Sequence, residues 1–192
     1  PGSWQLADRQ RWQLAALRFV LEDPVFNPDL LTMLGLIRQE GGDFSFSHAL
    51  VRDGAYESLL KRHAADIHIR AAEWYQGRDR SLWAQHLDRG GSDSAASAYL
   101  LSAKDDVDSG RIEDATAQLE RVGELRPSLS DRVSLQLLWG RLKRRSGEIP
   151  ASLEAFRVAI SLADKPSDRC LAWIGLASGM RLSDDLDGAL EV

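Results

Sequence analysis

The sequence predicts a mainly α-helical protein, in which stacked helical hairpins form an array (an α-solenoid) behind a small piece with one β-hairpin. The first observation is a repeat, because Gly110, Gly147 and Asp184 follow one another at steps of 37 residues. Similar residues return around these anchors: Ile112, Ile149 and Leu186; Ala115, Ser152 and Ala189; Leu119 and Phe156; Ala103, Gly140 and Ala177. A fixed period of this length indicates helix pairs that each bury a face on the next pair. The second observation is a Gly41-Gly42 turn between two short strand-like stretches.

The N-terminal elements follow from apolar spacing and from turn residues. Residues 1–3 read as an expression scar. Apolar positions from Leu6 to Leu21 predict an amphipathic helix over about residues 6–22, ended by Pro24. Asn27 is expected to cap a short helix to about Leu34, with Pro28 at its first position. The hairpin over residues 35–47 follows, and helices must cover it because two strands alone are marginally stable.

From residue 48 onward the pattern is helical. Helices are predicted over about 49–61 and 63–75, and a short third helix is capped by Ser81 and ended by Gly90-Gly91. Pro127 and Pro166 are each expected to close the second helix of a pair. The predicted organisation is a truncated winged-helix-like domain over 4–48, connecting helices over 49–91, and repeats over about 92–128, 129–165 and 166–192, the last incomplete.

Composition restricts the possible partners and compartment. The chain has 192 residues, of which 44 % are hydrophobic and 28 % charged, with a net charge of −5. An acidic balance argues against a broad nucleic-acid or anionic-membrane surface. Cys170 is the sole cysteine, so no intrachain disulfide can form and a cytoplasmic location is expected. No apolar run reaches membrane-spanning length, so no membrane partner is expected.

One segment carries a family resemblance. Residues 44–60 read F-S-F-S-H-A-L-V-R-D-G-A-Y-E-S-L-L. This resembles a junction in bacterial signalling ATPases of the STAND class, including those fused to class III adenylate or guanylate cyclases and related transcriptional regulators. There the second wing strand of a winged-helix-like domain runs into F-x-F-x-H-A-L-x-R-x-A-A-Y-x-S-L, and tetratricopeptide-like repeats follow. Gly54 replaces the usual alanine. Residues 82–87 (L-W-A-Q-H-L) are similar to an A-x-H motif of the next helix.

The repeats also resemble tetratricopeptide units directly. Signature positions are occupied by Ala115, Leu119 and Pro127 in the first repeat, by Gly140, Gly147, Phe156 and Ala159 in the second, and by Trp173, Leu176, Ala177 and Ala189 in the third. Gln136 and Lys143 depart from the pattern, and the period exceeds the usual 34 residues. The family's winged-helix domain has three helices before its wing, whereas Leu34 meets Gly35 here with no room for a third. Either the chain lacks a stretch at that point or a loop has been left out of the numbering, so DNA reading by a recognition helix is not expected.

No catalytic, cofactor or metal site is predicted in this chain. There is no G-x-x-x-x-G-K-[ST] loop, so ATP is expected only in an upstream domain that the resemblance implies. The histidine spacings fit no zinc motif, and His48 is expected to pack at or cap a helix start. Cys170 is expected to be buried. The same holds for the aromatic residues at repeat positions, Tyr99, Trp139, Phe156 and Trp173.

A basic set of residues is the candidate binding site. In tetratricopeptide arrays the first helix of each pair lines the concave groove, and this phase selects Lys104, Arg141, Arg144 and Arg181, with Ser178 beside them. A basic groove favours a protein or acidic peptide as partner. The competing interpretation is that these cations complement the negative ends of their helices. The chain is therefore expected to be a non-catalytic interaction and regulatory module that acts with upstream ATPase or cyclase domains. The alternative is a DNA-binding regulator fragment that uses the winged-helix piece.

Overall fold

The computed structural model describes residues 11–182, without the side chains of residues 61 and 62. Within this range the chain is mainly helical, with a small sheet near the N terminus. The strands are β1 (Trp12–Gln13), β2 (Ile37–Glu40) and β3 (Asp43–Phe46). The helices are α1 (Leu14–Leu21), α2 (Asp29–Met33), α3 (Ala49–Ser58), α4 (Lys61–Tyr75), α5 (Arg80–Arg89), α6 (Ala95–Ser109), α7 (Ile112–Glu124), α8 (Leu129–Arg145), α9 (Ile149–Leu162) and α10 (Pro166–Leu182).

The sheet is antiparallel with strand order β1-β3-β2. The predicted hairpin is confirmed: Ile37 pairs with Phe46, and Gly41 takes a φ of +66° at the turn. The predicted helix over residues 6–22 is wrong at Trp12, which lies in β1 opposite Phe44. The two rings stack with centroids 5.3 Å apart, so a contact distant in sequence determines the conformation of this segment.

Two helices precede the hairpin in the described residues. In the loop before α2, Asn27 Oδ1 accepts a hydrogen bond of 2.9 Å from the Asp29 amide. Helix α2 begins at Asp29 with Pro28 at its N-cap position, so the predicted positions of Asn27 and Pro28 are each one residue too early. After α2, Leu34 leads directly into Gly35, whose φ of +69° turns the chain toward β2. The chain therefore passes from α2 to the sheet without a third helix.

Helices α3, α4 and α5 connect the sheet to the repeats. The break between α3 and α4 falls at Leu59 and Leu60, so α3 ends earlier than predicted. The predicted cap at Ser81 is wrong, because Asp79 Oδ1 accepts the Leu82 amide at 2.9 Å instead. A Cβ on Gly90 would lie 2.5 Å from Ile69 Cδ1, so a larger residue where the end of α5 approaches α4 would require the Ile69 side chain to move.

The 37-residue period is present in the backbone. Gly110 and Gly147 end α6 and α8 with φ of +76° and +79°, in the left-handed region that favours glycine. Helices α7 and α9 then begin at Ile112 and Ile149. Equivalent buried pairs follow in α7 and α9: Ala115 and Ser152, Leu119 and Phe156, Val122 and Ala159. Pro166 is the first residue of α10, so it opens a helix rather than closing one. The third anchor, Asp184, lies outside the described residues.

The helices pack in chain order. Helix α6 contacts α7 and α8, while α8 contacts α9 and α10, so the first helices of successive pairs touch one another. One core cluster joins Tyr99, Leu119 and Leu142 across α6, α7 and α8. The arrangement is consistent with a helical array. No helix within residues 11–182 combines the length and the apolar character needed to cross a bilayer.

Candidate functional site

The predicted groove residues lie on three first helices that pack in succession. Lys104 is on α6, Arg141 and Arg144 are on α8, and Ser178 and Arg181 are on α10. Because the turns recur after 37 residues, Lys104, Arg141 and Ser178 are equivalent positions, and so are Arg144 and Arg181. We call these five residues the basic strip.

An aspartate joins the first two members of the basic strip. Asp108 on α6 accepts a hydrogen bond from the Arg141 guanidinium, and its other oxygen lies 4.0 Å from Lys104 Nζ. The Lys104 side chain is 58 % exposed and the Asp108 side chain 44 %, so the pair interacts in high dielectric and stays accessible. This site is therefore less basic than the cations alone suggest.

The other three members have different surroundings. Arg144 lies half-buried in the last turn of α8, beside Lys143 and Arg145, where a cation also complements the helix dipole. The Ser178 hydroxyl donates to the Ile174 carbonyl of its own helix at 2.7 Å. Arg181 is exposed in the last turn of α10. The structure records a shared partner for Lys104 and Arg141 but no contact that joins Arg144, Ser178 and Arg181.

Several side chains depart from their expected burial. Tyr99 and Phe156 are buried as predicted, and Trp139 is half-buried. Trp173 is 38 % exposed on α10, and Cys170 is exposed as well, so both predictions of a buried side chain are wrong. His48 occupies the N-cap position of α3, but its side chain makes no capping hydrogen bond.

Two carboxylates bind side chains of the first repeat: Asp106 from within the repeat and Asp88 from α5. Asp106, which is 6 % exposed, accepts Gln118 Nε2 at 2.8 Å and also binds Arg111. Asp88 on α5 accepts Arg121 Nε at 2.7 Å and the Tyr99 hydroxyl at 3.2 Å. Burial raises the pKa of Tyr99, and the Asp88 charge and hydrogen bond raise it further. Because these groups bind one another, they act as structural ties between helices.

A polar cleft of about 370 Å³ lies beside the Asp106 tie. Its lining includes Arg80, Asp105, Asp106 and Arg111, together with the Ser102 side chain. Arg80 pairs with Asp105 at 2.6 Å, and Arg111 pairs with Asp106. The charges of the cleft therefore largely neutralise one another, and the cleft has no strong preference for one sign of ligand.

The most unusual side-chain arrangement joins α3, α4 and α5. Tyr56 Oη lies 3.1 Å from His68 Nε2, and His68 Nδ1 lies 2.9 Å from His86 Nδ1. The ring of Tyr75 stacks on His86 with centroids 5.4 Å apart. We call Tyr56, His68 and His86 the imidazole chain.

Burial controls the charge of the imidazole chain. It lowers the pKa of His68 to about 4, with a smaller contribution from Arg89. Burial also lowers the pKa of His86 to about 4, followed by the effects of His68 and Arg89. Both rings are therefore neutral at pH 7, where each has one N–H donor and one acceptor nitrogen.

Sequence reasoning did not find the imidazole chain, because its members are separated by 12 and 18 residues. One signal was present: His68 lies on the same helical face as Ala64, Ala71 and Ala72, where a polar side chain needs a partner. Within the described residues, no cluster of three or more His, Cys, Asp or Glu side chains is placed to hold a metal ion.

In comparisons with known proteins, no family model, no curated protein and no solved structure matches the chain. The resemblance to STAND-class ATPases therefore depends on the residues of this sequence alone.

Proposed function

We propose that this chain is a non-catalytic interaction and regulatory module of a cytoplasmic, multidomain STAND-class signalling ATPase. In this proposal an α-solenoid of tetratricopeptide-like hairpins binds a protein or acidic peptide through the basic strip. The winged-helix-like piece then transmits the bound state to upstream ATPase or cyclase domains, where ATP binds.

The equivalence of successive hairpins is the observation that carries this proposal. The same left-handed glycine ends α6 and α8, and matching residues of α7 and α9 are buried. Repeats of this kind place equivalent residues side by side and so present an extended surface. Lys104, Arg141 and Ser178 occupy one such row.

The order of elements near the N terminus supports the regulatory part. Helices α1 and α2 precede a hairpin, and β3 leads through His48 directly into α3. The resemblance implies this order for the junction between a wing and the helices that follow it. Helix α3 is thus the first of the helices that connect the N-terminal piece to the array.

Charge reversal tests binding by the basic strip. A labelled peptide rich in Asp and Glu, selected from a randomised library on the 192-residue chain, serves as the probe in fluorescence anisotropy. The Arg141→Glu, Arg144→Glu double variant is expected to weaken binding about tenfold, because two attractive contacts become repulsive. The loss is expected to shrink as salt is added.

The matched control is Arg157→Glu, on α9. The Arg157 side chain is 54 % exposed, and its Nη1 lies 3.9 Å from Glu154 Oε2. The substitution therefore reverses an exposed charge that lies outside the basic strip. Unchanged affinity is expected for this control. Equal affinities of the double variant and the wild type, with both folded by circular dichroism, would contradict the proposed binding site.

A further inference from the structure

Two motifs of the sequence meet in the imidazole chain. Tyr56 belongs to the segment 44–60, and His86 belongs to the segment 82–87. His68 on α4 lies between them and contacts both, through Nε2 and Nδ1 respectively. The two segments that resemble STAND-class sequences are therefore linked by hydrogen bonds through a third helix.

The tautomers of the two imidazoles are coupled. If Tyr56 donates to His68 Nε2, then His68 Nδ1 carries the proton and donates to His86 Nδ1. In the opposite arrangement His86 Nδ1 donates to His68, whose Nε2–H donates to the Tyr56 oxygen. Because each neutral ring has a single N–H, a change of the hydrogen bond at Tyr56 affects the tautomer preferred at His86.

The members of the imidazole chain differ in burial. His68, in the middle of the chain, is 5 % exposed, whereas Tyr56, at the α3 end, is 41 % exposed. Helix α3 has no buried residue, and Leu50 in its first turn is 84 % exposed. Elements with few buried contacts open at lower free energy than the core. Helix α3 is thus expected to open before α4 and α5.

Helices α4 and α5 hold His68 and His86, the two histidines of the imidazole chain, in place. They pack along their lengths, and Gly90 permits their close approach at Ile69. Tyr75 covers one face of His86, and the charge of Arg89, the last residue of α5, contributes to the lowered pKa of both imidazoles. The hydroxyl of Tyr56 thus forms its hydrogen bond with a ring that these two helices hold in place.

We propose that the imidazole chain is a latch, which holds α3 against α4 and α5 and communicates the release of α3 to His86 through the tautomer of His68. The latch is a property of the described helices and does not depend on a partner. Its role in passing a signal between the array and the N-terminal piece rests on the proposed function.

Hydrogen exchange on the 192-residue chain tests the latch. Tyr56→Phe removes one hydroxyl and keeps the ring. We expect the amides of α3 to exchange about fivefold faster, the effect of losing one ordinary hydrogen bond, while exchange in α6 to α9 stays unchanged. The ¹⁵N shifts of the His86 ring are expected to change as its tautomer preference changes.

Tyr75→Phe is the matched control, because it removes a hydroxyl from a ring that also contacts His86. It is expected to leave exchange in α3 unchanged. If the α3 amides of the Tyr56→Phe variant exchange at the wild-type rate, the latch proposal is overturned. It is also overturned if the substitution accelerates amide exchange equally in every helix. Unchanged ¹⁵N shifts of His86 would overturn the communication step. None of these measurements uses the acidic peptide, so their failure is distinguishable from failure of the proposed binding site.

Discussion

Alanine in place of Gly140 is expected to destabilise the protein, although alanine is the better helix former. The ring of Phe156, which is 1 % exposed, lies directly against Gly140 of α8. A Cβ at position 140 would lie 2.7 Å from Phe156 Cε1 and Cζ and 2.8 Å from Cε2. The same ring lies against Gly175 of α10, so it cannot move away from α8 without pressing on α10.

Two opposing terms set the magnitude. Replacing glycine by alanine within a helix stabilises by roughly 0.5–1 kcal/mol. Forcing a methyl group into a filled core costs about 1–3 kcal/mol. The packing cost should exceed the gain in helix propensity, so the free energy of unfolding should fall by up to about 2.5 kcal/mol.

Urea unfolding followed by circular dichroism measures this change, with Gly123→Ala as the control. Gly123 lies in α7, and a Cβ there would meet no atom within 4 Å. This control should gain up to about 1 kcal/mol.

A double-mutant cycle with Phe156→Leu isolates the contact, because leucine lacks the ring atoms that would clash. In that background Gly140→Ala should become neutral or stabilising, with a coupling energy of about 1–3 kcal/mol. If Gly140→Ala stabilises the wild type as much as Gly123→Ala does, the packing of Phe156 between α8 and α10 is wrong.

Three further predictions concern charged and titratable groups. The free energy of unfolding should fall as the pH falls from 6.5 toward about 4. In this range the histidines of the unfolded chain, with a pKa of 6.5, bind protons, whereas His68 and His86 of the folded chain, with pKa values of about 4, stay neutral. Urea midpoints at several pH values measure this, and the slope should be smaller in His86→Gln. Asp88→Ala should lower the free energy of unfolding by about 1–3 kcal/mol, since it leaves Arg121 without a carboxylate that it binds through two nitrogens; urea unfolding again measures the loss. Asp108→Asn should raise the affinity for the acidic peptide about threefold in fluorescence anisotropy, because it removes a negative charge from the basic strip.

Local rules were sufficient for the repeat turns. The 37-residue period and the similar residues on both sides predict Gly110 and Gly147 as turn residues. Glycine suits the left-handed helix ends that the structure has at both positions. The hairpin at Gly41 follows from similar local chemistry. The turns and the hairpin depend on residues that are close together in the sequence, so they can be predicted without knowing how the helices pack.

Features that depend on distant residues were not predictable in this way. Trp12 fits a helical period, but stacking on Phe44 places it in a strand. The imidazole chain needs three helices to be packed before its members meet. At the candidate site, the residues of the basic strip follow from the repeat phase, whereas the neutralising role of Asp108 follows from how α6 and α8 approach each other.

The long first helices determine how a peptide could meet the basic strip. Helices α8 and α10 each contain 17 residues, so each is roughly 25 Å long. Arg141 and Arg144 lie one turn apart near one end of α8, while the row from Lys104 to Ser178 crosses three helices. With neighbouring axes about 8–10 Å apart, that row extends roughly 16–20 Å, the length of about five or six extended residues. A bound peptide would thus run across the helices rather than along them, and the spacing of its acidic residues would matter more than their number.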